Sequence, residues 1–445
     1  MITTRRAIFL LTFCAFRAAA TYYPLIEYSG TTFFDGFDFY GAIDNTTWGN
    51  VTYVDAADAS AESLAYVNGA GNAMIKVDDV STVLDVGIQY RKSVRLTSQA
   101  QFEIGTLFLV DVLHMPYGCS VWPSIWLNGV LAPGQIWPEA GEVDLIEAVN
   151  LFDHNQMALH TTAGCMQPAN VTQSGAAGIL NCNDTSSSGC TVAETKPNSY
   201  GPGFNSNNGG VWGLQFDVSG KCARFFFPSI KFWFRTRFLF ISHLPLVIFI
   251  DIELMTIRRR DIHLVLAAHG IPASVSQATP TTTMNLTDWG MPSAAYPASG
   301  CNITEFFPPQ QLIIGKHNAL WALGRHPGGL LPVMSGDMCK CFLLSIPHLM
   351  NLPLQFSNNV AGNGSNYADA YFEIPAIRTY TVNATAASIA SASASVLLQT
   401  TGAASGSIST STGPTGTPGG AAVRLRAGGW GVLVLLGIGV LGALL

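Results

Sequence analysis

Short runs of β-favouring residues fill the chain from Tyr22 to about Phe227. They are rich in Val, Ile, Thr and aromatic residues and are separated by Gly, Asn, Asp and Pro, as in Ser93–Ser98 and Gly105–Asp111. No long stretch keeps the 3.6-residue apolar period of an amphipathic helix. Strands of this length between turn residues predict an all-β domain, a sandwich or jelly roll, and argue against an alternating βαβ fold.

Charged residues are scarce, since they make up 11% of the 445 residues while 48% are hydrophobic. The usual charged share of a soluble domain is about 25%. The 22 basic and 28 acidic residues give a formal charge of −6, so the charge balance does not favour nucleic acid or an anionic membrane surface as a partner. This composition indicates either a membrane protein or a secreted, glycosylated one.

The first 20 residues have the pattern of a secretory signal peptide. Arg5 and Arg6 precede the apolar run Ala7–Phe16, and Ala18–Ala20 provide small residues for cleavage. The run is too short to remain as a membrane-spanning helix. We therefore expect the chain to be exported.

Residues 421–445 have the pattern of a GPI-attachment signal. The apolar segment Trp430–Leu445 follows a spacer that contains Arg424 and Arg426, with small residues at positions 419–421. A short hydrophobic tail anchor is the alternative, and either one would hold the protein at the outer cell surface. Residues 384–420 are dominated by Ala, Ser, Thr and Gly, which predicts an O-glycosylated stalk.

The cysteines and asparagines also fit an exported protein. In an oxidising compartment the cysteines beyond the signal peptide are disulfide candidates, although the sequence does not select their pairing. None has the spacing of a zinc site, so we expect no metal. The cysteines are Cys119, Cys165, Cys182, Cys190, Cys222, Cys301, Cys339 and Cys341, and the N-glycosylation acceptors are Asn45, Asn50, Asn170, Asn183, Asn285, Asn302, Asn363 and Asn383.

The interval 231–270 does not continue the β pattern. It combines a dense apolar and aromatic run with three consecutive arginines, Arg258–Arg260. The most apolar part contains Pro245 and is short for a spanning helix, so a polytopic membrane protein is a weak alternative. We interpret the interval as a gene-model artefact, such as a retained intron, with a genuine insertion as the alternative.

Three acidic residues, Glu142, Asp144 and Glu147, lie in the segment Trp137–Asn150. On a regular strand Glu142 and Asp144 share a face while Glu147 points away. One β-bulge between Asp144 and Glu147 returns Glu147 to the shared face. The two glutamates would then be about 13 Å apart at the backbone, and over a concave sheet their side chains can approach to about 5 Å, the separation in retaining glycoside hydrolases.

This arrangement predicts a different role for each acid. Glu142 would be the nucleophile and Glu147 the general acid and base. Asp144 would orient the nucleophile through a hydrogen bond, and its charge would favour the protonated form of Glu147. Such a reaction needs no cofactor. A solvated acidic strand face is the alternative explanation of these residues taken alone.

Several further segments occur in a fixed order around the acids: Phe33–Phe39, Arg91–Arg95, His114–Cys119, Trp122–Trp126, Asn155–Cys165 and Asn366–Ile374. With the acid motif they resemble the family 16 glycoside hydrolases, in particular the fungal laminarinase-like endo-1,3(4)-β-glucanases. The resemblance implies a β-jelly roll sandwich of the concanavalin A-like type over residues 21–383, with a concave face that forms an open cleft for β-glucan. It gives Glu142 and Glu147 the same two roles, and we expect the protein to be a monomer.

Residues near the acids are candidates for substrate contact. Broad indole rings can stack on glucose rings, with burial inside the sandwich as the alternative. The resemblance places a histidine beside the catalytic pair. The candidate contacts are Trp122, Trp126, Trp137, Asn150, Gln156 and His160.

The resemblance lapses at residues 231–270 and again at about 315–357, where translation in a shifted frame would explain the unrelated sequence.

We predict a retaining endo-hydrolase of β-1,3- or mixed β-1,3/1,4-glucan. One alternative is a glucan transglycosylase on the same scaffold. Another is a catalytically impaired glucan-binding surface protein, which the altered second half suggests.

Overall fold

The computed structural model describes residues 20–44, 51–84, 90–183, 188–216, 222–228, 271–317, 360–388 and 390. Strands form most of its regular structure, so the predicted all-β class is confirmed. The strands are β1 (Tyr23–Ser29), β2 (Phe37–Phe39), β3 (Val51–Tyr53), β4 (Ala65–Val67), β5 (Ala73–Lys76), β6 (Arg91–Ser93), β7 (Arg95–Phe102), β8 (Thr106–Val112), β9 (Trp122–Gly129), β10 (Glu142–Glu147), β11 (Gln156–His160), β12 (Ala176–Ala177), β13 (Cys190–Ala193), β14 (Gly210–Phe216), β15 (Cys222–Pro228), β16 (Ala294–Tyr296), β17 (Gln310–His317), β18 (Tyr371–Ile374) and β19 (Ala376–Thr381). The helices are α1 (Ala56–Ala61), α2 (Gly201–Ser206), α3 (Ala273–Ser276) and α4 (Ile303–Phe306), with 3-10 turns at Gly30–Gly36 and Ser365–Tyr367.

Two antiparallel sheets make up the sandwich. One has six strands in the order β1-β19-β8-β14-β15-β16, and the other has eight in the order β12-β13-β11-β10-β9-β17-β7-β2. The chain passes from one sheet to the other several times, so strands distant in sequence become neighbours, as in a jelly roll. Smaller sheets, β18-β5-β4 and the parallel pair β3-β6, accompany them.

The core lies between the two large sheets. Phe108 and Trp212 on the six-stranded sheet and Ile125, Val143 and Leu145 on the eight-stranded sheet belong to one buried cluster. Because side chains alternate along a strand, the other face of β9 and β10 carries a different set of residues. Burial of each such large apolar side chain contributes about 1.5–3 kcal/mol to the stability of the fold. This burial determines which face of β10 turns into the core, and the opposite face carries the acidic residues.

Cross-links hold segments that are far apart in sequence. Disulfides join Cys165 to Cys301 and Cys182 to Cys190, and Cys119 is also disulfide-bonded. The fully buried Arg91 donates hydrogen bonds to the carbonyls of Val360 and Gly362, at 2.6 and 3.0 Å, and to those of Asp78 and Ser81. This arginine therefore attaches the segment that begins at residue 360 to the body of the domain.

Several predictions concern residues outside the described ranges. These are the signal peptide up to residue 19, the interval 231–270, residues 318–357 of the second atypical interval, nearly all of the stalk and the GPI signal. The first three residues of that second interval complete β17. In the part of the chain that the structure describes, no helix has both the length and the apolar character needed to cross a bilayer.

Candidate active site

A β-bulge interrupts β10 at the predicted place. Opposite β11, Asp144 pairs with Ala158 and Glu147 with Gln156, so three steps along β10 match two along β11. Opposite β9 the register shifts between Asp144 and Ile146. The additional residue therefore lies between Asp144 and Glu147, and the predicted bulge is confirmed.

The bulge places the three acids on one face of the eight-stranded sheet. Leu145 and Ile146 both enter the core, and Glu147 follows them on the side already occupied by Glu142 and Asp144. Side chains directly opposite across antiparallel strands share a face. Three such rows cross the site, with Glu142 beside Asn128 and His160, Asp144 beside Trp126 and Ala158, and Glu147 beside Ser124 and Gln156.

Gly141 determines how β10 begins. Its φ of +66° lies in the left-handed region that side chains rarely adopt. A Cβ at this position would stand 2.5 Å from Phe307 Cδ1 and 2.7 Å from the Phe306 carbonyl oxygen. The glycine before Glu142 in the acid motif is thus required for the chain to pass under Phe306 and Phe307 into the catalytic strand.

Each outer glutamate accepts a hydrogen bond from an indole. Trp137 Nε1 donates to Glu142 Oε2 at 2.8 Å, and Trp122 Nε1 donates to Glu147 Oε1 at 2.7 Å. Trp122 is the first residue of β9, whereas Trp137 lies in the β9–β10 connection and is 39% exposed. The structure therefore brings both tryptophans to the acids, with the indole face of Trp137 accessible.

The electrostatic surroundings keep protons on the glutamates at unusually high pH. Burial, followed by the charge of Asp144, raises the pKa of Glu142 to about 7. The same two causes raise the pKa of Glu147 to about 8. The indole hydrogen bonds and the charge of His160 oppose both shifts. Near neutral pH this favours a proton on Glu147, as the predicted role of general acid requires.

His160 lies opposite Glu142 and supplies a positive charge to the acids. Its Nε2 is 3.0 Å from Asp144 Oδ2 and 3.9 Å from Glu142 Oε1. Burial lowers the pKa of His160, but the adjacent Asp144 and the charges of Glu142 and Glu147 raise it to about 9. Asp144, predicted to orient the nucleophile, lies 3.0 Å from His160 and also acts on Glu142 through its charge, and its orienting role stays a prediction.

Comparisons with known proteins agree with the geometry. Residues 37–232 match the model of the XgeA-like catalytic GH16 domain, that is, glycoside hydrolase family 16. The matched region contains Glu142, Asp144 and Glu147. It is 29% identical to a probable glycosidase of Schizosaccharomyces pombe, over 81% of this chain and 70% of that protein. It is 31% identical to a probable endo-1,3(4)-β-glucanase of Aspergillus niger, over 84% of this chain but only 42% of that protein.

Two solved structures resemble the GH16 domain in both sequence and fold. Laminarinase 16A from Phanerochaete chrysosporium, with β-glucans in its donor and acceptor sites, is 29% identical and superposes with a TM-score of 0.59. An elongating GH16 β-1,3-glucosyltransferase is 28% identical with a TM-score of 0.60. Each covers 81% of this chain, and this chain covers 100% of each of them. These similarities confirm the predicted jelly roll.

The GH16 site includes an arginine to which the sequence gave no role. Arg95 on β7 has its guanidinium 5.4 Å from the ring of Trp126 and 4.8 Å from that of Tyr40. Its Nε and Nη1, like Trp126 Nε1, are buried and have no hydrogen-bond acceptor among the described residues. Its charge also acts to lower the pKa of Glu142. The only sequence indication was its place at the end of the motif Arg91–Arg95.

The remaining candidate contacts occupy different environments. Trp126 is 7% exposed on the face that carries the acids, and Gln156 is half-buried opposite Glu147. Asn150 has a φ of +56°, and its Oδ1 accepts a hydrogen bond from the Ser120 amide at 2.8 Å. Asn150 thus stabilises the turn after β10. Substrate contact by these three residues stays a prediction.

Proposed function

We propose that the protein is a retaining endo-hydrolase of β-1,3- or mixed β-1,3/1,4-glucan. One observation carries the proposal: the bulge in β10 places Glu142 and Glu147 on one face, each held by its own indole donor. A double displacement needs two carboxyl groups that flank the scissile bond about 5–5.5 Å apart, and two carboxyls can do so only if they reach the same groove. The similarity to endo-1,3(4)-β-glucanases and to laminarinase 16A supports β-glucan as the substrate.

The reaction would proceed in two steps. In the first, Glu142 attacks the anomeric carbon and forms a glycosyl ester while Glu147 donates its proton to the departing glycosidic oxygen. In the second, Glu147 removes a proton from water, the resulting hydroxide attacks the same carbon, and the Glu142 carboxylate leaves. Two inversions give net retention. The charges of His160 and Arg95 stabilise the carboxylate form of Glu142, both before it attacks in the first step and as it leaves in the second.

Unused donors near Glu142 would bind the sugar. Buried N–H groups without acceptors are costly, and Arg95 Nε, Arg95 Nη1 and Trp126 Nε1 would recover hydrogen bonds from glucose hydroxyls. The exposed indole of Trp137 offers an apolar face on which a ring can stack while its N–H remains on Glu142. We assign these residues to sugar binding next to the nucleophile.

Chemical rescue tests the two carboxylate roles separately. With an aryl β-glucooligosaccharide, Glu142→Ala plus azide should give the α-glycosyl azide, because azide enters from the face the nucleophile occupied. Glu147→Ala plus azide should give the β-glycosyl azide from the covalent intermediate. Circular dichroism confirms that each variant is folded. Formation of the β-azide by Glu142→Ala would overturn the nucleophile assignment.

Transglycosylation is the second candidate, favoured by the similarity to an elongating GH16 glucosyltransferase. In that reaction a sugar hydroxyl replaces water in the second step. Incubation with laminarin distinguishes the two, since hydrolysis releases reducing ends in proportion to bonds broken and transfer gives longer chains without net release. Glucan binding without either product would instead support the impaired, purely binding alternative.

We also propose that the protein acts at the outer cell surface as a GPI-anchored glycoprotein. The terminal sequence patterns support this location, as do the two disulfides in the described residues. The acceptors Asn170, Asn183, Asn285, Asn302, Asn363 and Asn383 are all exposed. Release of the protein from intact cells by a phosphatidylinositol-specific phospholipase, and a mass decrease with peptide N-glycosidase, would test the anchor and the glycans.

A further inference from the structure

We propose that Glu142, Asp144 and His160 form a binding site for one zinc-type divalent ion, whose binding reversibly blocks the enzyme. One oxygen of each carboxylate and one imidazole nitrogen lie within 4.8 Å of one another. The inhibitory consequence rests on the proposed function, because it requires Glu142 to be the nucleophile. The binding itself does not depend on that role.

The distances suit a small ion with few ligands. Asp144 Oδ2 and Glu142 Oε1 are 3.0 and 3.9 Å from His160 Nε2. Ligands bound to zinc at about 2.0–2.2 Å in a tetrahedron stand about 3.3–3.5 Å apart. The 3.9 Å pair needs a shift of a few tenths of an ångström, and the two carboxylate oxygens, which lie within 4.8 Å of each other, need at most about 1.3 Å. These movements would complete three of four ligand positions, leaving the fourth for water.

A second observation points to a missing ligand. Asp144 is 1% exposed, and its Oδ2 has no hydrogen-bond partner among the described residues, although His160 Nε2 is 3.0 Å away. The two groups form a close ion pair, and an ion that binds between them takes the place of the His160 proton, because only the neutral imidazole can act as a ligand. Adjacent ligands of a shared cation stand in this relation, because both direct their lone pairs at the ion.

The surrounding contacts hold the ligands ready. Glu142 and His160 are directly opposite on β10 and β11, so the backbone fixes their separation. Trp137 Nε1 occupies Glu142 Oε2 and leaves Oε1 toward His160. One nitrogen and two carboxylate oxygens favour Zn²⁺, Co²⁺ or Cu²⁺. Ca²⁺ prefers six to eight oxygens and Mg²⁺ a nearly complete octahedron, so neither should compete.

An ion at this position would stop the first chemical step. Bound to Glu142 Oε1, it withdraws the electron pair that attacks the anomeric carbon, and Trp137 already occupies the other oxygen. It also lies where the sugar ring would approach Glu142. Removal of the ion by a chelator returns the carboxylate unchanged, so the inhibition is reversible.

Direct binding is measured first, without substrate. Zn²⁺ is titrated into the EDTA-treated, dialysed full-length protein by calorimetry, and Co²⁺ is followed by its visible absorption. We expect one ion per chain. His160→Gln should weaken binding about 100-fold or more, since it removes a direct ligand and loss of outer contacts alone costs 10–100-fold. The matched control is His154→Gln, which alters a histidine that contacts Asp153 at 2.6 Å instead of the catalytic acids and should bind as the wild type does.

Activity is measured second. Laminarin hydrolysis by the wild type and by His154→Gln should fall over the same Zn²⁺ range as the calorimetric titration and should recover with EDTA, while Mg²⁺ and Ca²⁺ have no effect. Undiminished Zn²⁺ binding to His160→Gln, no stoichiometric binding, or equal binding of Mg²⁺ would each overturn the proposal. If no laminarin is hydrolysed, the proposed function fails, while calorimetry still decides the metal site.

Discussion

Glu142 and Glu147 are tuned by donors that come from different parts of the chain. Trp122 begins β9 and bonds Glu147, whereas Trp137 belongs to the connection that leads into β10 and bonds Glu142. Each indole favours the ionised form of its own carboxyl, because a hydrogen bond to a carboxylate stabilises the charge. The two pKa values can therefore be altered one at a time.

Replacing Trp137 with Phe removes the donor but keeps an aromatic ring. A hydrogen bond to a charged group contributes about 1.5–3 kcal/mol, and about 1.4 kcal/mol corresponds to one pKa unit. The pKa of Glu142 should therefore rise by roughly one unit. Because the nucleophile must be ionised, we expect the acidic limb of the kcat/KM–pH profile to move up by about one pH unit.

Trp122→Phe provides the matched comparison. The pKa of Glu147 should rise instead, and since Glu147 must be protonated in the first step, the basic limb should extend to higher pH while the acidic limb stays in place. Movement of the same limb in both variants would show that the indoles do not act on separate carboxyls.

At the level of the strand, the bulge in β10 decides whether Glu147 can act. Leu145 and Ile146 both point into the core because one of them is additional to the regular alternation. Removal of one gives the spacing E-x-D-x-E, in which a regular strand again places all three acids on one face. Addition of a residue displaces Glu147 in either of two ways: with the bulge retained it turns to the other face, and without the bulge it lies about 7 Å further along the strand from Glu142.

We predict that deletion of Leu145 is tolerated better than insertion of Ala between Ile146 and Glu147. The deletion should lower the free energy of unfolding by about 2–5 kcal/mol through the cavity it leaves, yet retain measurable laminarin hydrolysis. The insertion displaces Glu147, either to the core face or along the strand, and should reduce kcat by 10²–10⁴-fold, the usual contribution of general acid catalysis. Denaturant unfolding shows how much of each loss of activity comes from lost stability. Glu147→Ala gives the activity that remains without a general acid. An insertion variant that is more active than the deletion variant would contradict the argument from the bulge.

For the molecule as a whole, the site should make stability depend on pH. The pKa values of Glu142 and Glu147 rise in the folded chain from 4.5 to about 7 and 8, so the folded state binds these protons more tightly than the unfolded state. Their contribution to stability is complete below the unfolded pKa and is lost as the pH rises through 7 and 8. The raised pKa of His160, about 9, has the same sign.

The free energy of unfolding should therefore fall from pH 5 to pH 8 more steeply in the wild type than in Glu142→Gln/Glu147→Gln. We expect a difference of roughly 6 kcal/mol over this range, because the two groups together contribute about 4.4 pH units of linkage at about 1.4 kcal/mol per unit. Urea unfolding at several pH values measures it. A wild type and double variant with the same slope would mean that the two carboxyls titrate normally.

The local sequence by itself determined the strand class, the acid motif and the need for a bulge. Side chains alternate with a period of two along any strand, so the spacing of Glu142, Asp144 and Glu147 already required one additional residue for a shared face. Trp137 could be proposed because it precedes Glu142 by five residues, whereas Trp122 and Trp126 lie in a separate segment and were proposed for their broad indole rings.

Only the tertiary structure decided which distant residues meet the acids. Arg95 reaches the site because β7 is placed beside β17 and β17 beside β9, and the Cys165–Cys301 pairing joins positions 136 residues apart. His160 was suspected through the resemblance, but its partner Asp144 follows from the register of β10 and β11. Sequence spacing encodes the period within a strand, whereas strand order and register depend on how the whole chain buries its apolar faces.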